Sequence, residues 1–561
     1  MKRLPAVLLW FALLVIAAPV AAQESAADPA SNEPASEVAA EAATEAPVSK
    51  QSVFSDAGSR LPLNLARAIE LALDNNEEIM ISRIDFDRSV ADVTQSLGRF
   101  DPIFSVTTAY QDSTTPQPNL FNPTNPIVDE KTFDLNFALS GALSTGTKYS
   151  LNVTNQRSES TSGFVLLSPQ YETTVNAKLT QPLLQGFGLG VNMGNVVIAR
   201  TQRKISAQQF NIEISERILE VIQAYWELAY ALENLNNQRD SLKVATDLVR
   251  IAENRVRVKL DPPIALTQAR EGAARREENV VIAENQVGLA EDNLKRILGL
   301  TKNNEQLNAK IELVDEGETE TVLPSADEAI QLARRRRPDY EIARLTYENL
   351  DISSRLARNA KLPQLDLSVE GGLVGLAGDV APKSTSINAI PLNTQFGGEF
   401  GRTYEQIFDA DTPYWKVSAT FSIALGSRET QAKLRKAILD QQLALENFKI
   451  HDTEILMQVR RAMRDVLTNA KRIRTTEVGQ ELAEENLAAE RRRYEVGLST
   501  SFDVLEQEEK ANTARSAYQR AIADYNNSIA TYRFSVGTLL ETYDIILADE
   551  PEPVPPPFFA R

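Results

Sequence analysis

Apolar residues recur at alternating intervals of four and three positions along two long stretches of the chain. In the first stretch these residues are Ile214, Ile218, Val221, Tyr225, Leu228, Leu232 and Leu235. In the second they are Leu456, Val459, Met463, Val466, Ala470 and Ile473. This spacing is typical of a helix whose apolar seam packs against another helix. It predicts a helix of about 70 residues, or about 105 Å, between about 190 and 260, with an equivalent helix in the second stretch.

The two stretches belong to an internal duplication. Residues 221–299 align with residues 459–537 without a gap, at a constant offset of 238 positions. A second match, at an offset of 261 positions, pairs Ala68-Ile69 with Ala329-Ile330 and Pro102 with Pro363. Internal duplication indicates a repeat architecture or a pseudo-symmetric assembly.

Each repeat is predicted to contain a long helical hairpin with a tight tip. In the first repeat, 60–310, Asp261-Pro262-Pro263 should end the long helix, because proline lacks the amide donor and restricts the residue before it. In the second repeat, 311–545, the same columns read Ser499-Thr500-Ser501, preceded by Gly497.

Two further stretches, 101–182 and 363–425, alternate apolar and polar residues with a period of two, which predicts strands. The apolar positions of six strands are Phe104, Val106, Thr108 and Tyr110; Phe133, Leu135, Phe137 and Leu139; Tyr149, Leu151 and Val153; Val175, Ala177 and Leu179; Leu365, Leu367 and Val369; and Trp415, Val417, Ala419, Phe421 and Ile423. The intervening positions include Lys148, Asp366 and Glu370, which a dry core would not accept without partners. A sheet with one face in lipid and the other in water, as in a membrane barrel, explains both the apolar positions and the polar positions between them.

The linkers between these strands predict an orientation. Residues 112–131, 157–170 and 371–412 are long and are expected outside the cell, whereas Ser144-Thr145-Gly146 is a tight turn expected at the inner rim. Eight strands are the usual minimum for a closed barrel, and an open edge is not tolerated in lipid. The chain is therefore expected to share its barrel with copies of itself, in a number that the strands leave open.

Composition adds limits to this picture. Residues 1–22 carry Lys2-Arg3, an apolar run and a small-residue end, which is the layout of a secretory signal peptide. Residues 23–59 form a predicted disordered arm rich in Ala, Glu, Pro and Ser, and 546–561 form a Pro-rich tail. The net charge of -18 argues against a nucleic-acid partner.

The chain has no cysteine and a single histidine, His451, which excludes disulfides and a His/Cys metal cluster. Neither a phosphate-binding loop nor a Ser-His-Asp arrangement with a plausible spacing is found. We therefore expect no catalytic residue, no cofactor and no metal, and the chain is not expected to be an enzyme.

Four motifs carry a resemblance to a known family. They are Ala224-Tyr225-Trp226-Glu227-Leu228, Gln181-Pro182-Leu183-Leu184, Arg337-Pro338-Asp339-Tyr340 and the segment from Tyr494 to Leu505. Over about 60 to 545 the chain resembles the TolC family of outer-membrane efflux proteins. The resemblance implies an internally duplicated α+β membrane protein that forms a homotrimer, in which a shared transmembrane β-barrel continues into a long periplasmic α-helical coiled-coil barrel. It also implies a passive exit duct for drugs, metals or proteins, served by a periplasmic adaptor and an inner-membrane transporter.

The barrel departs from the family pattern in one respect. The family usually contributes two strands per half, whereas the first half of this chain has four because of an extra hairpin at 132–156. We hypothesise six strands per chain and eighteen per trimer.

The same resemblance implies a pore gate formed by Asp503, Glu506 and Tyr494. Asp503 and Glu506 are three positions apart and share a helix face, and their family counterparts point into the tunnel near its closed end, where they would attract cations. The alternative is a solvated acidic face. Tyr494 matches a position that helps to hold the gate shut, but its expected basic and acidic partners are replaced by Ser499 and Ala265.

The two hairpin tips are the family's site of contact with the adaptor. They comprise Val258, Lys259, Leu260, Asp261, Pro262 and Pro263 in the first repeat and Val496, Gly497, Leu498, Ser499 and Thr500 in the second. An ordinary helix-hairpin turn is the alternative for Gly497. For the whole chain, the alternative function is a periplasmic coiled-coil scaffold without a membrane pore.

Overall fold

A computed structural model describes residues 60–116, 127–162, 165–302, 304–315, 317–318, 322–380 and 396–545. The predicted signal peptide, the predicted arm and the predicted tail lie outside the described residues.

The elements follow the order that the duplication predicts, with helices before the strands and a helical hairpin after them. In the first half they are β1 (Arg60–Leu63), α1 (Leu65–Asn75), α2 (Glu77–Leu97), β2 (Ile103–Pro116), β3 (Ile127–Ala142), β4 (Lys148–Ser160), β5 (Leu167–Pro182), α3 (Leu189–Asn192), α4 (Gly194–Arg257), α5 (Pro263–Ile297), α6 (Asn304–Asn308) and β6 (Lys310–Leu313). In the second half they are α7 (Ala326–Arg336), α8 (Pro338–Ala360), β7 (Gln364–Val380), α9 (Gly401–Phe408), β8 (Pro413–Ser422), α10 (Arg428–Glu495), α11 (Ser501–Val536) and α12 (Leu539–Thr542).

The two predicted long helices are confirmed. Helix α4 has 64 residues and helix α10 has 68, and they return through α5 and α11, with 35 and 36 residues. The predicted role of the prolines is wrong in one detail. Helix α4 ends at Arg257, before the prolines, and Pro263 is instead the first residue of α5. Proline suits that position because the first amide of a helix needs no intrahelical partner.

The duplication extends to the ends of the helices. Gly299 and Gly537, which the alignment pairs, both adopt positive φ, at 69° and 80°, a conformation that glycine takes without strain at the end of a helix. The seams are buried, with Tyr225 and Val459 both 0% exposed. The Tyr225 hydroxyl donates a hydrogen bond to the Asp315 carboxylate at 3.0 Å.

Among the residues that the structure describes, none of the helices has the length and apolar character of a membrane span.

All six predicted strands are present, in one antiparallel sheet with the order β2-β3-β4-β5-β7-β8. The extra hairpin, β3–β4, lies within this sheet. Strands β2 and β8 form its two edges. A second, two-stranded parallel sheet pairs β1 with β6 and so joins the start of the described chain to the junction between its halves.

The predicted linkers are too long, because the strands continue past the point where apolar alternation stops. Pairing of β2 with β3 extends to Pro116 and Ile127, so 112–116 and 127–131 are strand rather than loop. Likewise β4 runs to Ser160, β5 begins at Leu167, β7 runs to Val380, and α9 lies within the remainder of the third linker. The tight turn is confirmed by a hydrogen bond from the Gly146 amide to the Leu143 carbonyl at 2.9 Å.

The sheet has one apolar and one polar face, as its alternation predicts. Residues directly opposite one another on paired strands share a face. Val175 lies opposite both Val153 and Leu373. On the other face, the Asn152 amide donates to the Asn176 side-chain oxygen at 2.9 Å.

Candidate functional site

The two hairpin tips have the same backbone geometry. Lys259 and Gly497 occupy the same column and both have positive φ, at 62° and 78°. The Leu260 amide donates to the Arg255 carbonyl at 2.8 Å, and the Leu498 amide donates to the equivalent carbonyl in the second tip at the same distance. Since Lys259 makes this turn without glycine, the turn alone does not require Gly497.

Each tip presents a matched set of exposed apolar side chains. In the first tip these are Val258, Leu260 and Ile264, and in the second they are Val496, Leu498 and Phe502, all between 56% and 71% exposed. A group of large apolar side chains in water is typical of a contact surface for another protein. The tips are therefore the strongest candidate for an interface at this end of the helices.

Tyr494 packs against the first hairpin. Its ring is 3% exposed, and the guanidinium carbon of Arg255 lies 5.1 Å from the ring centroid. Arg255 also forms an ion pair with Asp261, with Nε to Oδ2 at 2.9 Å. Burial, together with the negative charge of Asp261, raises the pKa of the Tyr494 hydroxyl above its ordinary value. We refer to Arg255, Asp261 and Tyr494 as the tip cluster, and it links α4 with α10.

Asp503 takes part in the start of α11. Thr500 caps this helix, and its hydroxyl donates to the Asp503 carboxylate at 2.7 Å. That hydrogen bond and one from the Thr500 amide hold the pKa of Asp503 below its ordinary value. Glu506 is exposed and pairs with Lys510 at 2.7 Å. The structure thus brings both carboxylates to the second tip, with one engaged as a helix cap.

Ser499 and Ala265, the two departures from the family pattern, make no bridge between the hairpins. The Ser499 hydroxyl instead lies within hydrogen-bond distance of the Glu490 and Asp503 carboxylates of its own hairpin. At the tips, Tyr494 instead contacts Arg255 of the first hairpin, a residue outside the predicted site. Positions 255 and 494 are distant in sequence, so no local pattern indicates that they meet.

A second set of buried charges, Arg276 on α5 and Glu508 on α11, lies further from the tips. Arg276, 5% exposed, donates to the Leu505 carbonyl of the other hairpin at 2.9 Å. Burial lowers the pKa of this guanidinium. Glu508 is 0% exposed and pairs with Arg491 at 2.9 Å. Neither residue is among the predicted site residues, although each stands at a seam position of its helix, where a charged side chain needs a buried partner.

The family model described as outer membrane efflux protein matches residues 144–300 and 329–538, which together cover more than half of the chain. The chain belongs to this family. The match includes both hairpins and both tips. It places the chain in the outer membrane as an efflux channel protein that extends into the periplasm.

Solved structures support the fold of this efflux family member. The outer membrane channel CmeC of Campylobacter jejuni matches with a TM-score of 0.62 and 16% identity, covering 85% of this chain and 86% of that chain. VceC of Vibrio cholerae matches with a TM-score of 0.58 and 18% identity, covering 84% of this chain and 96% of that chain. The open state of MtrE from Neisseria gonorrhoeae matches with a TM-score of 0.56 and 15% identity, covering 85% of this chain and 89% of that chain. No curated protein sequence matches.

Proposed function

We propose that the chain is the exit duct of a tripartite efflux pump or of a type I secretion system. In this proposal three copies share one transmembrane barrel, and their α4–α5 and α10–α11 hairpins form a periplasmic tunnel. The observation that carries the proposal is the two-faced sheet with two long helical hairpins attached to its inner end. The duct is passive, and an inner-membrane transporter supplies both the substrate and the energy.

The edges of the sheet support assembly with other copies. Among the described residues, the outer sides of β2 and β8 have no strand partner. Unpaired backbone groups facing hydrocarbon each cost several kcal/mol. Pairing β8 of one copy with β2 of the next removes both edges, and three copies give eighteen strands. Barrels of about 16–18 strands leave an aqueous channel.

The tips support docking of a periplasmic adaptor. Their exposed apolar side chains lie at the far end of helices that are about 100 Å long, and the equivalent positions of the two repeats present the same kind of surface. An adaptor with an apolar surface of its own would cover the two tips in the same way. We assign Val258 to Pro263 and Val496 to Thr500 to this contact.

The tip cluster supports a role in closure. Opening a tunnel of this kind requires one hairpin to move relative to its neighbour, and Tyr494 is held on α10 by Arg255 of α4. We assign the resting, closed state to this contact, in place of an interlock through Ser499 and Ala265.

Asp503 and Glu506 are proposed to line the narrow end of the tunnel, and planar-bilayer recording tests this. The reconstituted chain should carry ionic current that millimolar trivalent cations block, because rings of carboxylates attract multivalent cations. Replacing Asp503 and Glu506 with Ala should weaken the block about tenfold or more. Because the pKa of Asp503 is lowered, its carboxylate stays ionised, and its share of the block should persist, below the pH at which an ordinary aspartate is protonated.

The matched control replaces Glu481 and Glu485 with Ala. Both are exposed on α10 away from the tip, so this variant makes the same change in net charge. Equal block in wild type and in the Asp503/Glu506 variant would contradict the gate assignment. An absence of any current would favour the scaffold function instead.

A further inference from the structure

Helix α9, the helix of 8 residues between β7 and β8, has no role in the proposed export duct. Its side chains attach it firmly to the sheet. The Thr403 hydroxyl lies 2.8 Å from that of Thr173, and both residues are 0% exposed. The Tyr404 hydroxyl donates to the Asn155 side-chain oxygen at 2.6 Å. The Gln406 side-chain oxygen accepts a hydrogen bond from the Leu376 backbone amide at 2.8 Å, and the Gln406 side-chain nitrogen donates one to the Leu376 carbonyl at 3.1 Å.

These contacts place α9 on the apolar face of the sheet. Thr173 lies opposite Asn155 and Gly375 and so shares their face. Val175, two residues further along β5, lies on that face too. A side chain at Gly375 would overlap the carbonyl oxygen of Thr403, so glycine permits the close approach of α9. The helix therefore covers the three strands β4, β5 and β7 on the apolar face of the sheet, which faces lipid in the proposed duct.

The position along the strands places α9 toward the outer end of the apolar face. Thr173 is six residues from Leu179, which lies near the inner end of β5, and this corresponds to about 20 Å along a strand. The apolar band of a membrane barrel is about 25 Å tall. Asn155 and Thr173 would be costly if they faced hydrocarbon without partners. Helix α9 supplies partners for both.

The outer surface of α9 is both aromatic and charged. Phe408 is 74% exposed, and Phe396 and Phe400, which lie just before the helix, are 42% and 41% exposed. Arg402 and Glu405 are exposed beside them. Aromatic side chains next to charged ones are typical of the boundary between hydrocarbon and headgroups.

We propose that α9 is an interfacial helix, seated on the lipid-facing side of the wall, whose exposed phenylalanines contact the acyl chains of the outer leaflet. This inference rests on the proposed membrane wall. A neighbouring copy is not the occupant, because copies would join at β2 and β8, whereas α9 covers the middle strands of the sheet. Lipid is then the solvent that reaches Phe408.

Tryptophan fluorescence in vesicles tests this inference. The full mature chain carrying Phe408→Trp and Trp415→Phe is reconstituted into phosphatidylcholine vesicles with brominated acyl chains. Bromine quenches a tryptophan only on contact, so emission from position 408 should fall relative to vesicles without bromine if that side chain lies in the apolar band of the wall. The remaining Trp226 is buried, at 7% exposed, and serves as a constant background.

The matched control carries Phe502→Trp in the same background. Phe502 is 56% exposed at the tip of α11, far from the sheet, and its emission should not change. The unchanged chain tests the wall itself, because Trp415 is 80% exposed on the apolar face of β8. Quenching of Trp415 without quenching at position 408 would overturn the α9 inference alone. Quenching of neither would overturn the membrane wall and the α9 inference together.

Discussion

Replacing Arg255 with methionine should raise the open fraction of the reconstituted channel about tenfold. The Arg255 guanidinium lies over the buried Tyr494 ring and pairs with Asp261, and the side chains of Arg255 and Asp261 are 22% and 17% exposed. A partly desolvated cation–π contact contributes about 1–2 kcal/mol, and about 1.4 kcal/mol changes an equilibrium tenfold. Methionine retains much of the apolar bulk of the side chain but removes the charge. The measurement is the open probability of single channels in planar bilayers.

The duplication provides the control for this variant. Arg493 aligns with Arg255 in the second repeat, is 61% exposed and forms an ion pair with Glu490 of its own helix. Arg493→Met should therefore leave the open probability unchanged. Equal behaviour of the two variants would show that the tip cluster does not hold the hairpins together.

Removing the extra hairpin should narrow the barrel by about a third. A chain that lacks Ile127–Ser160 would lose β3 and β4, and β2 would then meet β5 in the antiparallel sense that the sheet requires. Three copies would form twelve strands instead of eighteen, and barrel diameter grows roughly linearly with strand number. The size limit for neutral polymers that enter from the outer side should fall in proportion.

The control deletes residues 119–124, which lie outside the described strands, so that four residues remain to connect β2 with β3 and all six strands are kept. Its polymer limit should not fall. An unchanged limit in the hairpin deletion would mean that β3 and β4 do not line the wall, in which case the family pattern of two strands per half would apply.

Much of the fold follows from periodicity in the sequence. Alternating intervals of four and three predict α4 and α10 because a seam must stay on one side of each helix. Alternation by two predicts six strands because each strand has one apolar face. The strand ends were missed where both faces become polar, as in Asp112 to Pro116, since backbone pairing continues there without an apolar signal.

The candidate site was less predictable. The tips could be placed because proline and glycine interrupt the seams. The partner of Tyr494 could not, because Arg255 comes from the other repeat and only packing of the two hairpins brings them together. Arg276 and Glu508 did carry a signal, as charged residues at seam positions. Helix α9 was not predicted, because it lies in a segment interpreted as an outer loop, although its buried Thr403 and Ile407 have helical spacing.

In the proposed duct, three copies of this chain complete one transmembrane wall. Native mass spectrometry of the complex extracted in detergent measures the copy number, because the mass of the complex divided by that of the denatured chain gives the number of copies. A ratio of three is predicted, with loss of the complex when the detergent is removed. A ratio of one, in a protein that stays in solution without detergent, would contradict the account.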